Sequence, residues 1–174
     1  MKKLSMSLIL LGMTGLGYGQ YSSSEFNNPI FGGFDLPVTN VEYLNGVQDH
    51  VTPKYAKFLE YIAPDWDVSK SSKFDGRKDQ LFNVTFKSDR GYIVASYDNK
   101  GKVVLTRERF RNMALPKQLL VAIGKKYPGW VVDKTSYSLV YNRGIETAKT
   151  YKVKLRNGRQ VKRLKVDATG NIMG

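Results

Sequence analysis

From residue 51 onward, hydrophobic and polar positions follow two different periods, and each period predicts a different kind of element. Two segments have apolar residues at helical spacing. These residues are Tyr55, Phe58, Leu59 and Ile62 in the first segment, and Leu119, Leu120, Ile123 and Tyr127 in the second. Pro116 suits the first turn of the second helix, and Pro64 and Pro128 are expected to end the two helices. The pattern therefore predicts two amphipathic helices.

Segments of strand character follow each predicted helix. Residues 82–87 and 151–156 alternate apolar and polar side chains, as half-buried strands do, and further strands are predicted near residues 66–73 and 130–141. Asp89-Arg90-Gly91 and Asn157-Gly158 are predicted hairpin turns, because Gly and Asn tolerate the positive φ that tight hairpins require. Residues 98–101 and 167–170 are predicted turns of the same kind. We therefore predict an α+β fold with one continuous antiparallel sheet and two helices packed on one face.

The two halves of this region are similar to each other. The first begins TPKYAKFLEYIAPDW and the second LPKQLLVAIGKKYPGW. Farther along, the strand beginning at Phe82 aligns with the strand beginning at Tyr151, and YDNKG aligns with VDATG. A fixed order of short motifs found twice indicates an internal repeat. We predict a first repeat over residues 51–110 and a second over residues 111–174.

The N-terminal part of the chain has a different pattern. Lys2 and Lys3 precede an apolar run that ends near Gly17 and Gly19, which is typical of a secretory signal peptide over residues 1–19. A buried N-terminal helix is the alternative. Residues 20–50 show no sustained period and are predicted to be an irregular leader. No later apolar segment approaches spanning length, so we expect no integral membrane segment after signal cleavage and a periplasmic or secreted protein.

Charge is distributed unevenly between these regions. The chain has 28 Lys and Arg and 15 Asp and Glu, and two of the lysines are in the predicted signal peptide. Residues 21–50 contain four acidic residues and no Lys or Arg, which leaves 26 cations and 11 acids, a net charge of +15, for residues 51–174. The pattern indicates an acidic leader before a basic body. The leader either folds over the body or acts as a spacer.

The motifs of this body resemble a known family. A helix opened by Leu-Pro, a Tyr-Pro-Gly-Trp exit and a hairpin followed by Tyr-Asp-x-x-Gly are similar to those of PepSY-like proteins of Bacteroidetes, also described as β-lactamase-inhibitor-like periplasmic proteins. The resemblance covers roughly residues 51–174. It implies the α+β fold, an extracytoplasmic location and a non-catalytic role in inhibition or sequestration. The acidic leader is not part of that family's pattern.

Few residues are available for catalysis. The chain has no Cys and a single histidine, His50, so no thiol nucleophile, disulfide or thiolate metal site exists and a His-based triad lacks its motif. No phosphate-binding glycine loop is present. Trp66 and Trp130, at matched helix exits, are interpreted as core anchors rather than ligand platforms. We predict no catalytic residue, no metal site and no cofactor.

The basic hairpin over residues 149–165 is the surface that stands out. Lys152, Lys154 and Arg156 point to the face opposite Tyr151, Val153 and Leu155, and Arg163 and Lys165 lie on the return strand. Tyr92 and Val94, on the other hairpin, are expected to add an apolar part. A solvated sheet face explains these cations without any partner.

The functional hypothesis is a non-enzymatic protein that binds an acidic protein partner through the open sheet face. The alternative is binding of polyanions such as cell-surface polysaccharide or extracellular DNA. An enzyme of unknown mechanism and a chiefly structural protein are the remaining alternatives.

Overall fold

The structure is a computed structural model that describes residues 40–173. The predicted signal peptide and most of the predicted leader, residues 1–39, lie outside the described residues. The elements are helices α1 (Val41–Val47), α2 (Lys54–Asp65) and α3 (Lys117–Lys126), a 3₁₀ turn (Val68–Lys70), and strands β1 (Phe82–Ser88), β2 (Gly91–Tyr97), β3 (Val103–Arg111), β4 (Val131–Asn142), β5 (Ile145–Asn157), β6 (Gln160–Asp167) and β7 (Ile172–Met173).

The seven strands form one sheet in sequence order, and every neighbouring pair is antiparallel. The predicted α+β class with a continuous antiparallel sheet is therefore confirmed, with three helices in the described residues instead of two. The predicted hairpins at residues 89–91 and 157–158 join β1 to β2 and β5 to β6. After residue 53, three strands follow α2 and four strands follow α3. The internal repeat itself stays a prediction, and both halves contribute to a single hydrophobic core.

Two predicted segments have a different structure. Residues 66–73 were expected to be a strand, but Val68–Lys70 form a 3₁₀ turn in which the Asp67 side chain accepts the Ser69 amide at 3.0 Å. A short Asp side chain that bonds the backbone two residues ahead favours a turn over an extended ladder. The prediction of a strand here is wrong.

The prediction of an irregular leader is wrong for its last part, because Val41–Val47 form helix α1. Tyr43, Leu44 and Val47 are buried, so the helix is held by its packing. Asn40 fixes its start: the side chain donates to the carbonyl of Pro64 at 3.1 Å and accepts the amide of Val103 at 2.7 Å. A helix of seven residues is too short to be stable alone, and tertiary contacts of this kind decide it.

Helix α2 buries a different face from the apolar stripe of its sequence. Ala56, Leu59, Glu60 and Ala63 face the sheet, whereas Tyr55, Phe58 and Ile62 are exposed. The two alanines allow a close approach to the strands, and the Tyr97 hydroxyl donates to the Ala63 carbonyl at 2.6 Å. Of the stripe predicted for α3, Leu119 and Ile123 are buried and Leu120 is exposed.

Alternation along the strands divides the sheet into a helix-covered face and an open face. Large side chains on the helix-covered face form the core, and the main ones are Phe110, Tyr137, Leu139, Tyr151 and Leu155. Gly91 pairs with Phe110 across β2 and β3, and a Cβ at this glycine would collide with the backbone of the facing strand. The absence of a side chain there lets the Phe110 ring lie close to β2.

Candidate functional site: a basic open sheet face

The open face carries side chains from six strands, and no described element covers it. Cross-strand register places Tyr92, Arg109, Ser138 and Thr150 in one row across β2 to β5. Arg111, Ser136, Lys152 and Lys165 form another row across β3 to β6. Residues directly opposite each other in a sheet point to the same face, so these rows define one continuous surface.

Cations concentrate at one end of this face, which we call the basic patch. Its members are Arg111, Lys134, Lys152, Lys154, Arg156, Arg163 and Lys165. Six of the seven line an open concavity of about 920 Å³, all except Arg156. All five cations that the sequence predicted for the partner-binding site are thus brought together here.

Asp133 is an acidic side chain that pairs with cations of the basic patch, and Asp89 also lines the concavity. The register of β4 against β5 shifts between Val132 and Lys134, and Asp133 at this shift contacts Lys154 at 2.7 Å and Arg156 at 3.2 Å. The hydrogen bond from Lys154 is the main cause that lowers the pKa of Asp133. Lys154 and Arg156 are therefore partly neutralised, and their contribution to the patch is smaller than the sequence predicted.

The other three predicted cations have no such counterpart. Among residues 40–173, no acidic side chain lies within ion-pair distance of Lys152, Arg163 or Lys165. Lys152 directly faces Lys165, and Lys154 faces Arg163, across β5 and β6. Like charges opposite each other on a sheet reduce stability, so these positions cost free energy in the isolated protein.

Tyr92 and Val94 lie on the same open face but toward the other side of the sheet. Val94 shares a row with Arg107, Val140 and Ala148, and both Tyr92 and Val140 are exposed. Tyr92, Val94 and Val140 are the apolar residues of this region, and Arg107 separates Val94 from Val140. The predicted apolar part is therefore on the correct face, three strands away from Lys152 along the sheet.

Several cations of this face were missed by the sequence analysis. Arg107, Arg109 and Arg111 alternate along β3 and all point outward, and Lys134 joins them from β4. The alternation in the segment RERFR was a usable signal, because charged residues at every second strand position mark a solvent face. Asp133 gave no such signal, since only the register shift directs it to Lys154.

Other residues considered in the sequence have no visible role in a site. His50 is exposed in the turn after α1. Within residues 40–173, no cluster of three or more His, Cys, Asp or Glu side chains is arranged to hold a metal ion. None of the helices in this range has the length and apolar character needed to cross a membrane.

The two tryptophans differ from each other. Trp66 is 45% exposed and packs its ring edge-on against Phe86, so its prediction as a core anchor is wrong. Trp130 is partly buried against the core, and the ammonium group of Lys162 lies 5.8 Å from its ring centroid. Of the exposed aromatic side chains of α2, Tyr55 packs its ring 4.0 Å from the guanidinium of Arg90, which lines the concavity of the basic patch.

The fold and this surface define a small α+β protein with a helix-covered core and an open basic sheet. No protein-family model matches the chain, and no curated protein matches it. Among solved structures, the chain is similar to a BLIP-like protein from Bacteroides fragilis NCTC 9343 at 17% identity, with a TM-score of 0.31, covering 56% of this chain and 68% of that one. It is also similar to a DUF2874 family protein from Bacteroides ovatus ATCC 8483 at 16% identity, with a TM-score of 0.35, covering 71% and 86%. The resemblance to PepSY-like proteins stays a prediction.

Proposed function

We propose that the protein is an exported, non-enzymatic binding protein that engages an acidic protein partner through its open sheet face. Export to the periplasm or beyond the cell rests on the N-terminal pattern of residues 1–19. The non-catalytic role rests on the residue inventory, which offers one exposed His and no Cys for nucleophilic or acid–base chemistry.

The observation that carries the proposal is a group of three cations, Lys152, Arg163 and Lys165, that form no ion pair with any acidic side chain of residues 40–173. Three positive charges on adjacent strands repel one another, and a partner that supplies carboxylates removes this repulsion on binding. A single Asp133 is shared between Lys154 and Arg156, so even this part of the patch keeps a net positive charge.

The apolar residues on the same sheet face favour a protein partner over a simple polyanion. Protein interfaces combine a desolvated apolar centre with a polar rim, and Tyr is one of the residues enriched in such centres. Tyr92, Val94 and Val140 are suited to the apolar part, and the basic patch is suited to the charged part. Charge complementarity of this kind raises association rates and selects against basic partners.

The experiment is capture of partners from a native envelope extract, at low and moderate salt, with three forms of the protein. The test variant Lys152→Glu/Lys165→Glu reverses two patch cations that form no ion pair within the described part of the chain. The control Lys125→Glu/Lys126→Glu makes the same change in net charge on α3. Loss of an acidic protein with the test variant alone supports the proposal. Equal retention of that protein by all three forms contradicts it.

Polyanion binding is the second candidate, and the specific observation in its favour is the column of arginines on β3. Arg107, Arg109 and Arg111 repeat every second residue, about 6.8 Å apart for an antiparallel strand, and extend the positive surface beyond the hairpin. Retention of polysaccharide or DNA that both charge variants weaken equally and that salt removes steeply would favour this candidate over a specific protein partner.

A further inference from the structure

Two carboxyl groups lie inside the core, on the side of the sheet opposite the basic patch. Glu60 projects from α2 and is fully buried, and Glu108 projects from β3 and is 3% exposed. Acidic side chains are almost never buried unless a partner compensates the lost hydration. No described cation makes an ion pair with either carboxyl group. The core therefore holds two acids whose charge is not balanced by a salt bridge.

The hydrogen bonds of these two groups are unequal. Oε1 of Glu108 accepts the hydroxyl of Tyr43 at 3.0 Å and the hydroxyl of Thr106 at 2.9 Å. Among the described residues, no hydroxyl or N–H group donates to Oε2 of Glu108 or to either oxygen of Glu60. Glu60 and Glu108 face each other where α2 packs on β3, close enough for each carboxyl group to act on the pKa of the other.

Two unpaired carboxyl groups that face each other in a core favour a bound proton. Ionised carboxylates are acceptors only, so they repel at this distance, whereas a protonated carboxyl donates one O–H to its neighbour. With Glu60 protonated and Glu108 ionised, Glu60 is the donor and Oε2 of Glu108 gains a partner. Glu108 then accepts hydrogen bonds from three side chains, which stabilises its single negative charge.

The charged and titratable groups around the pair come from every element packed on it. They are Tyr43 of α1, Asp49 after α1, Lys57 of α2, Tyr97 of β2, Tyr137 of β4, and Lys149 and Tyr151 of β5. Lys149 is the main cation among them, and its ammonium group bonds the Asp49 carboxylate at 2.6 Å. Since Asp49 already balances Lys149, the pair is left with little net positive charge nearby.

We propose that Glu60 and Glu108 share one proton and that this proton fastens α1 and α2 to the sheet, so that its loss at alkaline pH loosens both helices. The shared proton joins α2 to β3, and the Tyr43 hydroxyl joins α1 to the same carboxyl group. Without the proton, two like charges face each other in the core. Moving α2 and α1 outward to admit water relieves that repulsion.

The direction of the pKa shifts agrees with this geometry. Burial is the largest cause that raises the pKa of both carboxyls, and the Glu108 charge raises the pKa of Glu60 further. Loosening the helices returns the carboxyls to water and releases the proton. One released proton increases the opening equilibrium constant about tenfold per pH unit.

The first test asks whether a protonated carboxyl persists above the pH range in which Glu108 itself titrates. The infrared spectrum of the purified protein at about pH 8.5 is expected to show the C=O stretch of a protonated carboxylic acid. The band is expected to disappear in Glu60→Gln, whose amide still donates to Glu108, and to persist in Glu146→Gln, which changes an exposed Glu of β5. Absence of the band in the wild type, or its persistence in Glu60→Gln, overturns the proposal.

The second test measures the loosening itself. Hydrogen exchange of α1 and α2 amides, corrected for its intrinsic pH dependence, is expected to accelerate in the wild type by up to about tenfold per pH unit above neutrality. Glu146→Gln is expected to behave in the same way, and Glu60→Gln is expected to show a much smaller acceleration. If Glu60→Gln does not fold, the measurement on the wild type alone tests the proposal. Amide exchange of α1 and α2 that does not change with pH, after the intrinsic correction, contradicts a role of the shared proton in holding these helices.

Discussion

The two faces of the sheet place charged side chains in different surroundings, and strand β3 shows the difference within three consecutive residues. Arg107 and Arg109 point to the open face and are exposed, while Glu108 between them points under the helices and is buried. The open face collects cations that water can solvate. The helix-covered face contains an acid that only a proton and two hydroxyl groups can accommodate.

This comparison shows that the same alternation has different energetic consequences on its two sides. Exposed cations on a sheet lose little hydration and repel each other only through a high dielectric. A buried carboxylate loses several kcal/mol of hydration unless it is neutralised or hydrogen-bonded. We therefore expect changes on the helix-covered face to act on stability and changes on the open face to act on binding.

The largest effect is expected for Phe110→Ala on the helix-covered face. Phe110 is 1% exposed, and its loss leaves a cavity beside Gly91 and Tyr137. The free energy of unfolding should fall by about 3–5 kcal/mol, measured by urea denaturation. Arg109→Ala, on the adjacent outward position, should change it by less than about 0.5 kcal/mol. Similar decreases in unfolding free energy for both variants would contradict the expectation that stability depends mainly on the helix-covered face.

A smaller loss is expected for Glu108→Ala. This change leaves the hydroxyls of Tyr43 and Thr106 and the carboxyl of Glu60 without their partner in the core. The unfolding free energy should fall by about 2–3 kcal/mol in the same assay. Glu108→Gln keeps an acceptor oxygen and should lose less. An unchanged unfolding free energy in Glu108→Ala would mean that water or another residue forms hydrogen bonds with these groups.

The pH dependence of stability is the third prediction. Burial raises the pKa of Glu108 to about 7 from an ordinary value of 4.5, so the folded state binds the proton more tightly than the unfolded chain. Its contribution is fully present below about pH 4.5 and is lost as the pH rises through about 7, by up to about 1.4 kcal/mol per pH unit. Urea midpoints measured from about pH 5 to about pH 8 should therefore fall continuously.

At acidic pH a different set of groups acts in the opposite direction. Burial acts to raise the pKa of Asp49 and Asp98, but hydrogen bonds from Lys149 and Thr52 to Asp49, and from two backbone amides and Arg143 to Asp98, outweigh it and lower both values. Their contribution is present above about pH 3.8 and is lost as the pH falls through their folded values. Stability should therefore be greatest in mildly acidic solution, and a maximum above neutrality would contradict the assignment of Glu108.

The smallest effect on stability is expected for Lys152→Glu on the open face. Glu at this position faces Lys165 and replaces a repulsive pair by an attractive one, which should raise the unfolding free energy by about 0.2–1 kcal/mol. The gain should shrink at high salt. Lys152→Gln should give a smaller gain. A loss of stability with Lys152→Glu would show that Lys152 has a favourable contact in the folded protein.

Much of the fold was predictable because its patterns are local. Two hairpins follow from alternating apolar and polar residues in the strands and from the turn residues between them. These turns are Asp89-Arg90-Gly91 and Asn157-Gly158. Consecutive hairpins then generate a sheet in sequence order with no crossover connection. The position of Lys152, Lys154 and Arg156 on the open face followed from the same alternation.

The predictions for α1 and α2 were wrong because contacts between distant parts of the chain determine these elements. Helix α1 forms because Asn40 bonds Pro64 and Val103, contacts that join residues distant in the chain. The orientation of α2 was mistaken because Tyr55 and Phe58 are more hydrophobic than Glu60, yet Glu60 is the residue that faces the core. Glu60 faces the core because Glu108 on β3 lies opposite it. The hydrophobic period of α2 does not show which residue of β3 the helix will face.

The sequence by itself determined helices α2 and α3, the antiparallel sheet and the side of each strand on which charges lie, because these depend on periods of two and 3.6 residues along the chain. The tertiary structure alone decided which charges meet. It brought Asp133 to Lys154 through a shift in strand register, left Lys152 opposite Lys165, and placed Glu60 against Glu108. Such pairings depend on register and helix rotation, which are determined by the packing of the whole core.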